Sequence, residues 1–311
     1  MKVGTVRNDT VKGVAGKEKE RAVVLKRGIL NKKQMSKDHG LPEILVISSY
    51  PPRECGVATY SQDLVKALEN KFGNSFELKV CALETSDMDY VYPKEVTCKL
   101  TTNDPASFEA LASTINKSSS IQAVMIQHEF GFFESTKDCF LSLLQALTKP
   151  VVVVFHTVLP KPNKDLRANV QHIMEACESI IVMTQDAAKI LKNDYQALEE
   201  KISVIAHGTH LVPHLNKQTL KEKYGFQNRK ILATFGLLSS GKGIETTLDS
   251  LPAIIEAHPD VLFLVIGKTH PSIVKSEGEK YRNELEAKVH NLDLGAHVVF
   301  INLYVALPQL L

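Results

Sequence analysis

The chain has no tryptophan, only 6% aromatic residues, and five cysteines in 311 residues. The cysteines (Cys55, Cys81, Cys98, Cys139 and Cys177) are odd in number, scattered, and contain no C-x-x-C pair. That excludes a disulfide framework and a zinc ribbon, and fits a reducing compartment, so a cytoplasmic location is expected. No apolar run approaches the roughly 18 residues of a membrane helix, and no signal peptide is visible, so no membrane span is expected. A strong charge of one sign is missing too, the net being +2. That balance hides an asymmetry. Residues 1–40 hold eleven Lys/Arg against four Asp/Glu, so the remaining residues are net acidic. This basic stretch has little apolar periodicity and is expected to be a solvated, disordered extension. Nothing else resembles a nucleic-acid surface, and no nucleic-acid partner is expected.

What is present is ordinary globular material, 44% hydrophobic and 23% charged, in a length that suggests two domains. From Ile44 onward, strand-like and helix-like segments alternate. Candidate strands are 44–48, 76–82, 123–127, 151–155, 179–183, 202–206, 231–234, 261–267 and 298–301. They are continuous β-branched runs, as expected for strands buried on both faces of a parallel sheet. Helical patterns fall near 58–70, 105–118, 136–148, 185–193, 243–257 and 277–292. Asp104-Pro105 reads as an N-cap with a first-turn proline, and Ser276-x-x-Glu279 as a capping box. The expected fold class is α/β, doubly wound. A polar stretch before Gly225 places a boundary between an acceptor-side domain over 41–224 and a second domain from 225 to 311.

One stretch carries the most chemistry. A strand enters Phe235-Gly236-Leu237-Leu238-Ser239-Ser240-Gly241-Lys242-Gly243-Ile244-Glu245 and a helix leaves it. Such a loop turns backbone N–H groups and the positive end of a helix toward an anion, with Lys242 adding a full charge. Its spacing matches a P-loop until the last position, where Gly243 stands instead of the Ser or Thr that ligates magnesium. The strand ending at Gly267 also lacks a metal-holding aspartate, so a magnesium-dependent nucleotide hydrolase is disfavoured. A glycine-rich turn serving only strand–helix packing remains the alternative.

Ligands of open parallel sheets bind beyond the carboxyl ends of the strands. The residues found there are Tyr50 to Gly56, with Arg53 among them, then His128-Glu129, His156-Thr157, His207-Gly208 and Thr269-His270-Pro271. A histidine at such a position is usually a hydrogen-bonded loop residue. The cluster His207, His210, His214 is interrupted by Gly208 and Pro213, so no metal site is expected. Cys55, just before a helix, has the position of an activated thiol. No hydrolase signature accompanies it, and packing is the plainer reading. Transfer of a group from a phosphorylated donor accounts for both glycine-bearing loops together.

With these motifs in this order the chain resembles the retaining glycosyltransferases of family four, the glycosyl transferase group 1 proteins of GT-B architecture. The similarity rests on Tyr50–Thr59, Gln127–Gly131, His156–Leu159, Phe235–Glu245, Thr269–Pro271 and Gly278–Arg282, and spans residues 43 to about 305. It implies two Rossmann-like domains, a nucleoside-diphosphate sugar as donor, and transfer of a hexose to a carbohydrate or other hydroxyl acceptor with retained configuration. No metal or other cofactor is implied. By the resemblance, Gly56, Gly236, Gly241 and Lys242 bind the donor and His156 contacts the transferred sugar. Arg53, His128, Glu129, His207 and His270 are cleft or acceptor-side candidates.

Two departures stand out. Leu238 occupies a position where many relatives carry an arginine, which leaves charge neutralisation to Lys242. The family's donor domain also extends on the order of 100 residues beyond Leu311. The second domain is therefore expected to be incomplete, its first strand to present an open edge that a protein partner covers, and donor binding to be poor. A non-catalytic, glycosyltransferase-like binding protein is the alternative.

Overall fold

The computed structural model describes residues 40–305 apart from 210, 211 and 214. The basic segment, save Gly40, and His210 and His214 lie outside the described residues. The chain falls into two compact units with the break after Ala206.

The first unit is a seven-stranded sheet, β1 (Glu43–Ser48), β2 (Glu77–Glu84), β3 (Val96–Thr101), β4 (Ile121–His128), β5 (Val151–Phe155), β6 (Ser179–Val182) and β7 (Ile202–Val204). All six pairings are parallel and the order is β3-β2-β1-β4-β5-β6-β7. Five helices connect these strands: α1 (Gly56–Phe72), α2 (Pro105–Lys117), α3 (Lys137–Ala146), α4 (Lys164–Ala176) and α5 (Gln185–Tyr195). The period-2 alternation of β1 divides the core. Leu45 and Ile47 join the cluster under α2 to α5, while Val46 joins the one beneath α1, with Val65, Val80 and Tyr50. Two elements of this unit were not expected from sequence. β3 is an edge strand whose Val-Thr-Cys-Lys-Leu-Thr run alternates in burial, so it lacks a continuous apolar signature. α4 is amphipathic, with Val170, Ile173 and Met174 buried and the Asn163 side chain accepting from Leu166 N.

Asp104 caps α2 as its sequence suggests, its carboxylate accepting from Ala106 N at 3.1 Å with Pro105 at the first helical position. Asp104→Ala is expected to cost about 1 kcal/mol, read as a lower urea midpoint at unchanged m-value.

The second unit has three parallel strands, β8 (Lys230–Phe235), β9 (Val261–Ile266) and β10 (Val298–Ile301), in the order β10-β9-β8. Its helices are α6 (Lys217–Tyr224), α7 (Ile244–Ala257), α8 (Pro271–Glu277) and α9 (Lys280–Asn291). α6 precedes the 224/225 boundary drawn from composition but is tied to this unit. Lys221 Nζ donates to Arg229 O at 2.7 Å, and Phe226 N to Lys221 O at 2.7 Å. The core joins Leu248 and Leu251 of α7, Phe263 and Val265 of β9, and Leu285 of α9. Among the described residues β8 is an edge strand, with Leu232 38% and Phe235 51% exposed. Its counterpart β1 lies between β2 and β4, and Leu45, Val46 and Ile47 are at most 2% exposed. Among the described residues no helix is long and apolar enough to cross a membrane.

The expected capping box at Ser276 is not formed. Gly278, with φ 65°, ends α8, so Ser276 lies inside that helix and donates to Ile273 O at 3.3 Å. Glu279 instead opens α9 and turns its carboxylate to Thr269 and Arg282.

Candidate active-site elements

In the first unit the strand order reverses between β1 and β4, the position at which open parallel sheets bind ligands. The chain leaving β1 turns through Tyr50 to Cys55 and enters α1 at Gly56, where Cys55 provides no side-chain cap. The first-turn N–H groups of α1 are therefore not capped by the N-cap side chain. Tyr50 is fully buried and anchors the turn, its hydroxyl donating to Glu95 Oε1 at 3.2 Å. Burial, then the Glu95 carboxylate, pushes its ionisation well above the usual tyrosine range. Beneath it, Ser48 Oγ and Ser61 Oγ lie 2.6 Å apart and fix β1 to α1.

His156, beyond β5, is held from two sides. Its Nε2 is 2.8 Å from Gln127 Oε1, and its ring meets Tyr60 edge-on at 4.9 Å. Gln127 is fully buried, and its Nε2 has no hydrogen-bond partner among the described residues. His156 and Gln127 thus form one cluster with Tyr60, which stands one turn into α1. Glu129 ties β4 to β5, its carboxylate accepting from Phe130 N at 3.1 Å and from Thr157 Oγ1 at 2.7 Å.

His128 sits one layer lower. It is 2% exposed and its ring lies 4.8–6.0 Å from those of Phe130, Phe133, Phe140 and Phe155. Burial, with a smaller contribution from His156, pushes its pKa down to about 3 and keeps the ring neutral. It belongs to the core beneath the strand ends. Arg53 is half-buried, with Nη1 donating to Leu83 O at 3.2 Å and Cζ 5.3 Å from the centre of the Phe132 ring.

In the second unit β8 runs into Gly236, a short 3-10 turn spans Ser240–Lys242, and α7 starts at Ile244. Gly243, at φ 61°, is the N-cap and offers no side chain, so the first N–H groups of α7 are open to an anion. Lys242 is exposed on the turn just before them. Gly236 and Gly267 touch, which brings the ends of β8 and β9 together. At Gly56 and Gly241 nothing lies within 4 Å of where a Cβ would stand, and neither has a positive φ. The fold does not itself demand glycine there, which leaves room for close approach by a ligand.

Leu238 is 2% exposed and belongs to the core of this unit. It bridges to Thr269, and Leu238 O accepts from His270 N at 2.9 Å. Its side chain packs inward, which is why no charged group fits at this position. His270 immediately precedes α8, its carbonyl accepting from Ile273 N and Val274 N. His207 is exposed in the segment after β7, with Nδ1 2.6 Å from Gly208 O.

The role of Gly278–Arg282, unassigned from sequence, is to brace the glycine loop. Arg282 is 5% exposed and donates from Nη2 to Gly267 O at 2.7 Å. Thr269 Oγ1 donates to Glu279, which also lies 3.4 Å from Arg282 Nε. Tyr281 donates to Glu245 Oε2 at 2.5 Å, in the first turn of α7. That bond lowers the Glu245 pKa, while burial and then the carboxylate push Tyr281 up to about 12. The spacing of Glu279 and Arg282, one helical turn apart, was the available signal.

The doubly wound seven-stranded sheet of the first unit and the parallel sheet of the second give the α/β fold seen in GT-B glycosyltransferases of known structure. HepE from Anabaena, solved with UDP and glucose, matches over 86% of this chain and 71% of its own, with TM-score 0.59 and 16% identity. A glycosyltransferase from Rickettsia africae ESF-5 matches over 85% of this chain and 69% of its own (TM-score 0.57, 17% identity). A UDP-forming α,α-trehalose-phosphate synthase from Burkholderia vietnamiensis does so over 88% and 74% (TM-score 0.57, 13% identity). Spore coat protein SA of Bacillus subtilis is 24% identical over 170 residues, covering 50% of this chain. The chain spans 43% of that relative's length. No family model matches the chain.

Proposed function

We propose that this chain is a glycosyltransferase of the retaining, family-four type. It moves a hexose from a nucleoside-diphosphate sugar to a carbohydrate or other hydroxyl acceptor. The observation that carries this reading is the β8–α7 junction. An N-cap without a side chain, a glycine with open space at its Cβ position, and an exposed lysine stand in succession there. A departing diphosphate gathers negative charge, and a fixed cation with oriented N–H groups stabilises it more in the transition state than in the ground state. Lys242 supplies the cation, Gly241 the close approach, and Gly236 the turn out of β8. Gly56 opens α1 in the same manner on the first unit, and His156, oriented by Gln127 and Tyr60, contacts the transferred sugar. Arg53, Glu129, His207 and His270 remain cleft or acceptor-side candidates.

The proposed chemistry rests on fixed protein charges.

A glycosyltransferase-like binding protein is the second reading; among the described residues β8 has no strand on its outer side, and Leu232 and Phe235 are exposed there. Saturation-transfer NMR with UDP should give a signal that Lys242→Ala lowers by roughly tenfold or more in affinity, the scale of one charge-assisted contact. An unchanged signal in Lys242→Ala would overturn the donor assignment. Release of UDP from UDP-glucose, with the product anomer read by proton NMR, separates the transferase from the binding protein.

A further inference from the structure

We infer that Arg53 forms an anion subsite on the first unit, receiving a carboxylate or phosphate carried by the acceptor. Its guanidinium is half-buried at the carboxyl edge of the sheet, in the loop that leads from β1 into α1. Two contacts hold it still. Leu83 O takes one N–H at 3.2 Å, and the face of Phe132 lies 5.3 Å beneath Cζ. A guanidinium carries five N–H donors in a planar fork, so most of this group's donor capacity remains unspent.

Among the described residues Arg53 takes part in no ion pair. The buried carboxylate at the end of β2, Glu84, is already committed. It pairs with Lys99 at 3.1 Å and accepts from the Tyr92 hydroxyl at 3.3 Å. A partly desolvated, immobilised cation without a counter-ion is unfavourable in isolation and becomes favourable when an anion docks.

The loop also holds Gly56, whose following helix presents uncapped N–H groups. An anion bound bidentately by Arg53 therefore lies on the same edge as the helix N-terminus and His156, and would orient a hydroxyl borne by the same molecule. Assigning the anion to the acceptor rests on the glycosyl-transfer reading; binding of the anion does not.

The test titrates the full chain with glucose, glucose 6-phosphate and glucuronate, followed by NMR shifts. At least one charged sugar should bind roughly tenfold or more tightly than glucose, and which one does so separates phosphate from carboxylate. Arg53→Gln should remove that preference and Arg53→Lys should keep part of it, because a point charge lacks the fork. Lys242→Ala should leave it intact. Equal binding of all three sugars, or a preference that survives in folded Arg53→Gln, overturns the subsite. If Arg53→Gln does not fold, Phe132→Leu decides. Removing the ring should reduce the preference several-fold, and an unchanged preference overturns the subsite. UDP is titrated in parallel. Its failure to bind would remove the donor reading and leave the subsite standing, whereas the reverse pattern would remove only the subsite.

Discussion

Gly267→Ala is expected to destabilise the second unit by more than about 3 kcal/mol or to prevent its folding. The added Cβ would stand 1.9 Å from Gly236 O and 2.9 Å from Gly236 C. Those are backbone atoms, so no side-chain rotation relieves the clash. The φ of 142° adds strain that only glycine avoids. Movement of Gly267 itself is blocked on both sides. Its N–H donates to Ile301 O at 2.9 Å, and its carbonyl accepts from buried Arg282 at 2.7 Å. Gly236 is equally held, its N–H donating to Ile266 O at 3.0 Å. Relief of the clash therefore breaks a bond in β10, in α9 or in β8. Hydrogen exchange of the full chain is the measurement, with β1 and β4 as internal references. Protection should be lost over β8 to β10 and kept in the first unit. Parent-like protection of β9 would sink the account. Gly241→Ala is the contrast: its Cβ meets open space at ordinary φ, so stability should stay within about 0.5 kcal/mol.

The same pair of glycines shows how far the sequence could be read. Gly236 and Gly241 were legible as parts of an anion-binding loop, because strand, glycines, lysine and helix follow one another along the chain. Gly267 was legible only as a strand end. Its contact with Gly236 joins two strands that the sequence separates by an entire helix, and local pattern holds no record of it. The strands of the first sheet were readable because a parallel sheet buried on both faces requires unbroken β-branched runs, as in Val151–Phe155. β3 failed that rule at the edge, where Lys99 reaches outward to Glu84. The capping-box pattern at Ser276 was overridden by Gly278, which reverses the backbone before Glu279 can act on the preceding turn.

The histidines divide along the same line. Four followed strand ends in the sequence, and only the family resemblance set His156 apart. The fold separates them by depth: His156 is held at the sheet edge by Gln127 and Tyr60, whereas His128 lies under it. The difference comes from Phe133, Phe140 and Phe155, which three separate segments bring around one ring. No single segment of the sequence announces that aromatic enclosure. The arginine that braces Gly267 was hidden for a related reason, since a charged residue inside a helical pattern reads as a solvated face.

The buried His128 makes stability depend on acid in a defined direction. The folded ring protonates only near pH 3, whereas in the unfolded chain it protonates near 6.5, the ordinary value for histidine. Below pH 6.5 the unfolded state thus binds one proton more than the folded state. This stabilising contribution is fully present above pH 6.5 and is lost as pH falls, at roughly 1.4 kcal/mol per pH unit. By pH 5 the loss is about 2 kcal/mol, and by pH 4 about 3 kcal/mol, a large share of the 5–15 kcal/mol typical of a domain. His156 adds to the effect in the same sense, since a positive charge there disfavours a second one on His128. His128→Phe replaces the titrating ring by an apolar one in an aromatic site, and His128 Nδ1 has no partner to lose among the described residues. Urea unfolding of the first unit at pH 7.5, 6, 5 and 4.5 should show a steep fall in the parent. In His128→Phe the slope between pH 6.5 and 5 should be flatter by about one proton. Parallel curves for the two proteins would mean that the ring titrates alike in both states, and that burial among the phenylalanines does not hold it neutral.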